Sequence, residues 1–185
     1  MFIAPDFTAP VDVEALVQSL PKKATVKGMF FRALVGGTKF SLDRRYLPFI
    51  DYPAERFLRA AVEIAAKRYP RRPVLEALRR LGWEAYPVLA DSMIGKVIFG
   101  VLRDDLNLVF ENARRGYQVS IQPAVVRSEA VGTDHWRIHY EELYIFVDSY
   151  QVGVVEGCIR HFGRNPEVRI DLSTATSAIL DVSWL

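Results

Sequence analysis

Apolar residues recur at helical spacing through the first part of the chain. Over residues 53–68 they return every three or four positions, which predicts a helix that ends before the Tyr69-Pro70 pair. A second helix is predicted from residues 71–81, with Gly82 as its C-terminal cap. Helical spacing continues over residues 83–102. Shorter helices are expected at residues 11–20 and 104–116, and residues 27–37 predict a short helix or a buried turn.

The period of the pattern changes after residue 116. Apolar and polar residues alternate in YQVSIQ (117–122) and in HWRIHYEEL (135–143), which is typical of strands with one solvated face. Residues 148–163 return to helical spacing, with an N-cap at Asp148 or Ser149 and a C-terminal cap at Gly163. Residues 167–185 predict a closing hairpin, whose inward-facing side chains are Val168, Ile170 and Leu172 on one strand and Ala178, Leu180, Val182 and Trp184 on the other.

This order of elements predicts an α+β fold. Helices come first, and strand, strand, helix, strand, strand follow, which favours an antiparallel sheet with the helix at 148–163 over one face. The length of 185 residues fits one domain, and the first ten residues, with two prolines, are expected to be loosely ordered.

Composition narrows the class of protein. Half of the residues are hydrophobic, a quarter are charged and the net charge is +2, so the chain reads as globular and nucleic acid is not an expected partner. One cysteine does not require an oxidising compartment. The sequence begins without a basic and apolar leader and has no apolar run long enough to span a bilayer. We therefore expect a cytoplasmic protein that is not transmembrane.

Two glycines lie one turn apart in the predicted helix at 148–163. Gly153 and Gly157 share a helix face, and each interior glycine costs about 0.5–1 kcal/mol relative to alanine. The repeated cost indicates close approach of another backbone, either within the chain or from a second subunit. Cys158, beside Gly157, is interpreted as a small buried apolar residue, since a reactive thiol needs a partly open, electropositive setting. These three residues are the candidates for close packing or an interface.

The histidines have structural explanations. His161 lies in the last turn of its helix, where a protonated imidazole interacts favourably with the helix dipole; ligation of a heme is the alternative. His135 and His139 share one face of a strand but lie about 13 Å apart at roughly 3.3 Å per residue, too far for one metal ion. The sequence also lacks a phosphate-binding loop and a nucleophile elbow. We therefore predict no catalytic residue, no metal ligand and no cofactor.

Charge is distributed unevenly along the chain. Residues 56–80 carry eight basic and two acidic side chains, whereas residues 129–185 carry nine acidic and four basic ones. This basic segment is either a solvated junction between helices or a surface for an acidic protein, an anionic membrane or nucleic acid, and a protein fits best. The candidate basic-patch residues are Lys67, Arg68, Arg71, Arg72, Arg79 and Arg80.

Several strings resemble a known family. They are KGMFF (27–31), RYP (68–70), LRRLGWEAYP (78–87) and the C-terminal DSYQVGVVEGCIRHFGRNPEVRIDL with LDVSW. Together they resemble a myxobacterial paralogous family of about 180-residue domains of undefined function. The C-terminal part is more distantly similar to four-vinyl reductase domains, to Bet3-like subunits of the TRAPP tethering complex and to heme-nitric-oxide-binding sensors. The resemblance implies helices followed by an antiparallel sheet, and ligand sensing or assembly, often through dimers.

The sequence departs from the heme sensors at their signature. Their Tyr-x-Ser-x-Arg motif is replaced by YQVSIQ, in which Ser120 is displaced and Ile121 and Gln122 break the pattern. We therefore predict a domain without heme. The main functional prediction is a non-catalytic regulatory or protein-interaction domain that forms a homodimer or binds a protein partner. The alternative is a sensor of an apolar small molecule or lipid, with a pocket between helices and sheet. An enzyme is the third hypothesis, and no set of residues supports it.

Overall fold

The first half of the chain folds into helices. The computed structural model describes residues 1–36, 38–92 and 105–185. Its helices are α1 (Val13–Gln18), α2 (Gly28–Val35), α3 (Ala54–Arg68), α4 (Val74–Asp91), α5 (Leu106–Glu111), α6 (Ala113–Ser120) and α7 (Tyr150–His161). None of the helices in these ranges is long and apolar enough to cross a membrane.

The strands form two antiparallel sheets. The smaller sheet has the order β2-β1-β3 and joins β1 (Thr25–Lys27), β2 (Asp51–Pro53) and β3 (Ile121–Gln122). The larger sheet has the order β4-β5-β7-β6 and joins β4 (Val125–Gly132), β5 (His135–Glu141), β6 (Pro166–Thr174) and β7 (Ser177–Trp184). The predicted α+β class with an antiparallel sheet is confirmed.

One face of the larger sheet is buried. On β5 the alternating residues Trp136, Ile138 and Tyr140 are buried, and on β7 every second residue from Ala178 to Trp184 is buried, as the alternation predicts. The predicted inward position of Leu172 on β6 is wrong, because its side chain is 47% exposed near the end of the outermost strand.

At the other end of the chain, the backbone of Ile3 exchanges hydrogen bonds of 3.0 and 2.8 Å with Ile170 of β6.

The helix predicted at 148–163 forms, and its end has the expected geometry. Gly163 has a φ of +73°, which a glycine adopts without strain. Its amide donates to the carbonyl of Arg160, and the Arg164 amide donates to the carbonyl of Ile159, which is the Schellman pattern. At the start of α7, Ser149 holds the N-cap position without a side-chain capping bond.

Two predicted boundaries in the helical half are wrong. The helix expected to end at Gly82 continues through it to Asp91, with Pro87 inside. Gly82 is therefore not a cap; a Cβ there would lie 2.0 Å from the carbonyl oxygen of Tyr150. The predicted stretch at 104–116 is two helices, α5 and α6, and Gly116 lies inside the second. The last part of the stretch predicted at 83–102 lies outside the described residues.

The strand predicted at YQVSIQ is also wrong. Residues 113–120 form α6, and only Ile121 and Gln122 are extended. The burial contradicts the alternation, because Val119 is 52% exposed whereas Ser120 is buried. The strand that pairs with β5 is instead β4, which follows Pro123.

Candidate functional site

An apolar cavity of about 90 Å³ lies between the helices and the larger sheet. Helices α2, α4, α5, α6 and α7 and strand β5 each supply part of its wall. The described wall contains no Asp, Glu, Lys, Arg or His. Its residues are Met29, Phe30, Tyr86, Leu89, Val109, Phe110, Ala113, Gly116, Tyr117, Ser120, Ile138, Tyr140, Val154, Val155 and Cys158.

A short chain of hydrogen bonds lies in this otherwise apolar wall. The Tyr117 hydroxyl donates to Oε1 of Gln151 at 2.6 Å, and the hydroxyls of Tyr117 and Tyr140 are 3.2 Å apart. Tyr140 is 1% exposed and Gln151 is fully buried. Burial raises the pKa of both tyrosines, so both hydroxyls keep their protons at neutral pH. The described part of the wall therefore offers hydrogen-bond donors but no charged side chain.

Two polar atoms next to this chain have no hydrogen-bond partner among the described residues. They are Nε2 of Gln151 and the hydroxyl of Tyr150, both within the first turn of α7. A buried donor left without a partner costs roughly 1–3 kcal/mol. The start of α7 is therefore a place where an additional polar atom would be stabilised.

The thiol of Cys158 faces the cavity and is not activated. Burial raises its pKa to about 12, and a hydrogen bond with Tyr86 lowers it by less. Burial likewise raises the pKa of the Tyr86 hydroxyl. Because the thiolate is the nucleophile and the metal ligand, a thiol held neutral lines the cavity as a small apolar group.

The two glycines of α7 face the main chain of α4. A Cβ on Gly153 would lie 1.9 Å from the carbonyl oxygen of Arg79, and one on Gly157 would lie 2.3 Å from that of Trp83. From α4, Gly82 packs against the carbonyl of Tyr150 in the same way. The sequence left open whether the close partner lay within the chain, and in this structure it is α4.

An ion pair lies at the edge of the same helix contact. Arg79 donates from Nε and Nη2 to both oxygens of Glu156, at 2.7 and 2.6 Å. Glu156 is 7% exposed, and its carboxylate raises the pKa of Arg79. The rings of Phe7 and Trp83 lie 4.6 and 5.5 Å from the guanidinium carbon of Arg79. A bidentate pair of this kind holds α4 and α7 in register.

The histidines do not converge on a site. His161 is exposed at the end of α7, with its ring centroid 5.7 Å from that of Tyr86. His135 contacts Asp181 at 3.0 Å and His139 contacts Glu129 at 3.3 Å. Across the described ranges, no group of three or more His, Cys, Asp and Glu could hold a metal ion.

Acidic neighbours meet most of the candidate basic-patch residues. Lys67 pairs with Glu63, Arg68 with Glu84, and Arg79 and Arg80 with Glu76. Arg71 and Arg72, at the exposed junction of α3 and α4, form no ion pair with the described residues. Neighbouring acidic side chains therefore compensate most of the positive charge of the six candidate basic-patch residues.

Sequence reasoning missed the residues that form the cavity wall. The sequence pattern predicts a strand at Tyr117, and Gln151, which is bonded to the wall residue Tyr117, carries no signal because a glutamine in a helix is ordinarily exposed. The inward alternation of β5 did place Tyr140 in the core. Nothing in the linear pattern could bring α6 and α7 together around it.

Comparisons with known proteins now define the family. A family model described as protein of unknown function (DUF2378) matches residues 20–185. The chain belongs to this family. The family description agrees with the resemblance to domains of undefined function; the comparison with curated proteins gives no match.

The fold of this DUF2378 member is similar to that of H-NOX proteins. The H-NOX protein from S. oneidensis in its Fe(II)NO state aligns with a TM-score of 0.64 and 14% identity, covering 86% of this chain and 99% of its own. An NMR structure of the Shewanella oneidensis H-NOX domain in its Fe(II)CO state gives 0.64 and 16%, with 86% and 98% covered. The Fe(II) unliganded H-NOX protein from K. algicida gives 0.57 and 11%, with 94% and 92% covered. At these identities the comparison shows a shared fold.

These matches correct the main functional prediction. The sequence predicts a regulatory or protein-interaction domain without heme, whereas the solved structures that share its fold are H-NOX proteins in Fe(II) states with NO or CO bound. The exclusion of heme was drawn from one missing motif, and a fold kept at 14% identity does not require that motif to be kept. The sensor alternative agrees better with the fold and with the cavity.

The described wall can be compared with what a heme requires. Heme iron is held by His, by a Cys or Tyr anion, or by Met. None of the three histidines lines the cavity, the Cys158 thiol and the three lining tyrosines are protonated because burial raises the pKa of each, and Met29 is the remaining group. An apolar cavity of roughly 150 Å³ holds one benzene, and a porphyrin is several times larger. As arranged here, the described residues do not form a heme site.

Proposed function

We propose that this domain is a non-catalytic sensor that binds a small, largely apolar molecule in the cavity between its helices and its sheet. One observation carries the proposal: in a fold shared with H-NOX proteins, five helices and a strand converge on a cavity whose described lining residues include no charged side chain. Apolar walls with a few placed polar groups are typical of small-molecule sites.

The volume of the cavity gives an estimate of how much a bound molecule would stabilise the fold. At about 24 cal/mol per Å³, a space of about 90 Å³ costs about 2 kcal/mol if nothing fills it. A molecule that filled it would recover that stability. A ligand present at a hundred times its dissociation constant would stabilise the fold by about 2.7 kcal/mol. For a chain of this size, that raises the unfolding temperature by roughly 5–10 °C.

The lengths and contacts of the helices in the wall indicate which of them a bound ligand would displace. Helices α5 and α6 are six and eight residues long, and they place Val109, Phe110 and Tyr117 against the cavity. Helix α7 is instead held to α4 by the glycine contacts and the Arg79–Glu156 pair. A ligand would therefore displace α5 and α6 more readily than α7.

The experiment is a thermal-shift screen with a cavity-blocking variant. Small aromatic molecules, medium-chain fatty acids and hemin are tested against the wild type, Ala113→Leu and Ala66→Leu. Ala113 lines the cavity, whereas Ala66 is exposed on α3 and does not. We expect a stabilising compound to lose its effect in Ala113→Leu and to keep it in Ala66→Leu. If no compound stabilises the wild type, or if both variants respond alike, the proposal fails.

Hemin has a separate readout in the same screen. Binding would produce a Soret band, and loss of that band in Ala113→Leu would identify the cavity as its site. A Soret band that persists unchanged in this variant would place hemin elsewhere on the protein.

The location and the output of the sensor complete the proposal. We propose a cytoplasmic location, supported by the single cysteine, which lies buried with no disulfide. A signal also requires a receiver, either a second copy of the chain or another protein. Light scattering with and without a stabilising compound tests the first case; a monomer under both conditions would leave a different protein as the receiver.

A further inference from the structure

The hydrogen bonds of the cavity wall restrict the chemistry of its ligand. The inference rests on the proposed function and concerns the three polar side chains Tyr117, Tyr140 and Gln151. Each tyrosine hydroxyl has one proton to donate. The use of those two protons decides which of these three side chains can donate to a bound molecule.

The proton of Tyr117 is already committed. Its hydroxyl lies 2.6 Å from Oε1 of Gln151, within the ordinary range for an O–H···O bond. Gln151 is fully buried in the first turn of α7, and its backbone N–H donates to the carbonyl of Phe146 at 3.1 Å, which fixes the main chain at this residue. If Tyr117 turned its proton toward a ligand, Oε1 of Gln151 would lose the donor that it has among the described residues.

The proton of Tyr140 is only weakly used. The oxygen of Tyr117 is its nearest acceptor, at 3.2 Å, beyond the usual 2.5–3.0 Å for this type of bond. The strand position of Tyr140 holds the ring against the cavity, with its centroid 5.5 Å from that of Tyr117. A donor in a dry wall with so long a bond gains by meeting a better acceptor.

We propose that the ligand is an uncharged molecule with an apolar body and one hydrogen-bond acceptor, such as a carbonyl or ring nitrogen, which accepts the proton of the Tyr140 hydroxyl. The absence of charged side chains from the described wall disfavours an ionised ligand, because a desolvated charge would remain unpaired. Gln151 acts through Tyr117: by accepting its proton, it leaves Tyr140 as the donor that faces the ligand.

The test compares probes of equal shape. Tetrahydrofuran has one ring oxygen that accepts a hydrogen bond, cyclopentane has nearly the same outline without it, and both rings are smaller than benzene. Their dissociation constants are measured for the wild type, Tyr140→Phe and Tyr117→Phe, by ligand-induced thermal shift and by titration calorimetry. The ratio of the two constants reports the hydrogen bond, because it cancels most of the shape and apolar contribution of the probe.

The two variants are expected to differ. Tyr140→Phe removes the donor, so its preference for tetrahydrofuran over cyclopentane should fall by about tenfold relative to the wild type. Tyr117→Phe removes the weak acceptor of Tyr140, so the preference should be kept or increased. A wild-type ratio that Tyr140→Phe leaves unchanged would overturn the inference, and so would a loss confined to Tyr117→Phe.

The outcome for cyclopentane separates this inference from the proposed function. If cyclopentane binds the wild type and Tyr140→Phe equally well, the cavity is intact in the variant and the ratio can be interpreted. If both probes bind the wild type without any effect of Tyr140→Phe, the cavity remains a binding site but the acceptor is not recognised. If neither probe binds the wild type, the inference and its use of this cavity both fail.

Discussion

Replacement of Gly153 by alanine tests whether α4 and α7 approach as closely as their glycines suggest. In an exposed helix, this change stabilises a protein by roughly 0.5–1 kcal/mol, because alanine has the higher helix propensity. At Gly153 the new Cβ would lie 1.9 Å from the Arg79 carbonyl oxygen and 3.0 Å from the Trp83 amide nitrogen. An exposed Gly153 therefore predicts that the change to alanine stabilises the fold, whereas close contact with α4 predicts that the change destabilises it.

The magnitude follows from the distance that must be recovered. Ordinary van der Waals contact begins at 3.4 Å, so the two backbones must separate by about 1.5 Å, the difference between 3.4 and 1.9 Å. The obstacle is main chain, which cannot rotate away as a side chain can. Overpacking in a core costs typically 1–3 kcal/mol and sometimes more. After the gain in helix propensity, we expect Gly153→Ala to destabilise the fold by about 2 kcal/mol.

Guanidinium unfolding followed by tryptophan fluorescence measures this change. The three tryptophans report unfolding of the domain, and one of them, Trp83, lies at the contact between α4 and α7. Gly132→Ala is the control, because the nearest atom to its new Cβ would be 4.0 Å away, and a change within about 0.5 kcal/mol is expected. A stabilised Gly153→Ala variant would refute the close approach.

A second glycine on the facing helix sharpens the same experiment. Gly82→Ala would place its Cβ 2.0 Å from the Tyr150 carbonyl oxygen, so it should destabilise by a similar amount. Because either change forces the same two helices apart, the double variant should lose less than the sum of the two single losses. Full additivity would mean that the two glycines serve independent contacts.

Two further substitutions test the charges around α7. Glu156→Gln breaks a largely buried charged pair with Arg79, so it should lower the free energy of chemical unfolding by about 1–3 kcal/mol. The control Glu14→Gln breaks the exposed pair with Arg59 and should lower it by less than about 1 kcal/mol. Equal losses in the two variants would contradict the role of burial. Burial raises the pKa of Asp148, so the folded state binds more protons than the unfolded one, and wild-type stability should fall as pH rises through that raised pKa. Asp148→Asn should therefore be more stable than the wild type at neutral pH, with the difference shrinking toward about pH 4 in thermal unfolding; a difference that grows on acidification would show the wrong sign.

The elements that could be predicted are those whose burial is visible in the local pattern. Helix α3 and strand β5 each have one buried face, and the period of their apolar residues predicted both. The end of α7 was predicted because Gly163 has a backbone conformation that favours glycine. In these places the local preference and the tertiary structure agree.

The errors arose where tertiary contacts override the local pattern. Gly82 resembles a helix cap in the sequence, but its requirement for glycine comes from the Tyr150 carbonyl, which is 68 positions away in the chain. Tyr117, Val119 and Ile121 alternate like a strand, yet Val119 is exposed and Ser120 is buried once α6 packs on β4. The cavity could not be predicted, because its wall combines five helices and a strand whose contacts are not encoded in any one segment.

The glycine contacts and the cavity are two consequences of one helix arrangement. On α7, Gly153 and Gly157 face α4, while Val154 and Cys158, the next residue in each case, line the cavity. On α4, Arg79 and Trp83 meet those glycines, while Tyr86 and Leu89 further along the helix reach the cavity. The close contact therefore fixes two walls of the cavity relative to each other. The short helices α5 and α6 supply another part of the wall, so under the proposed function a bound molecule would move them more readily than the joined helices α4 and α7.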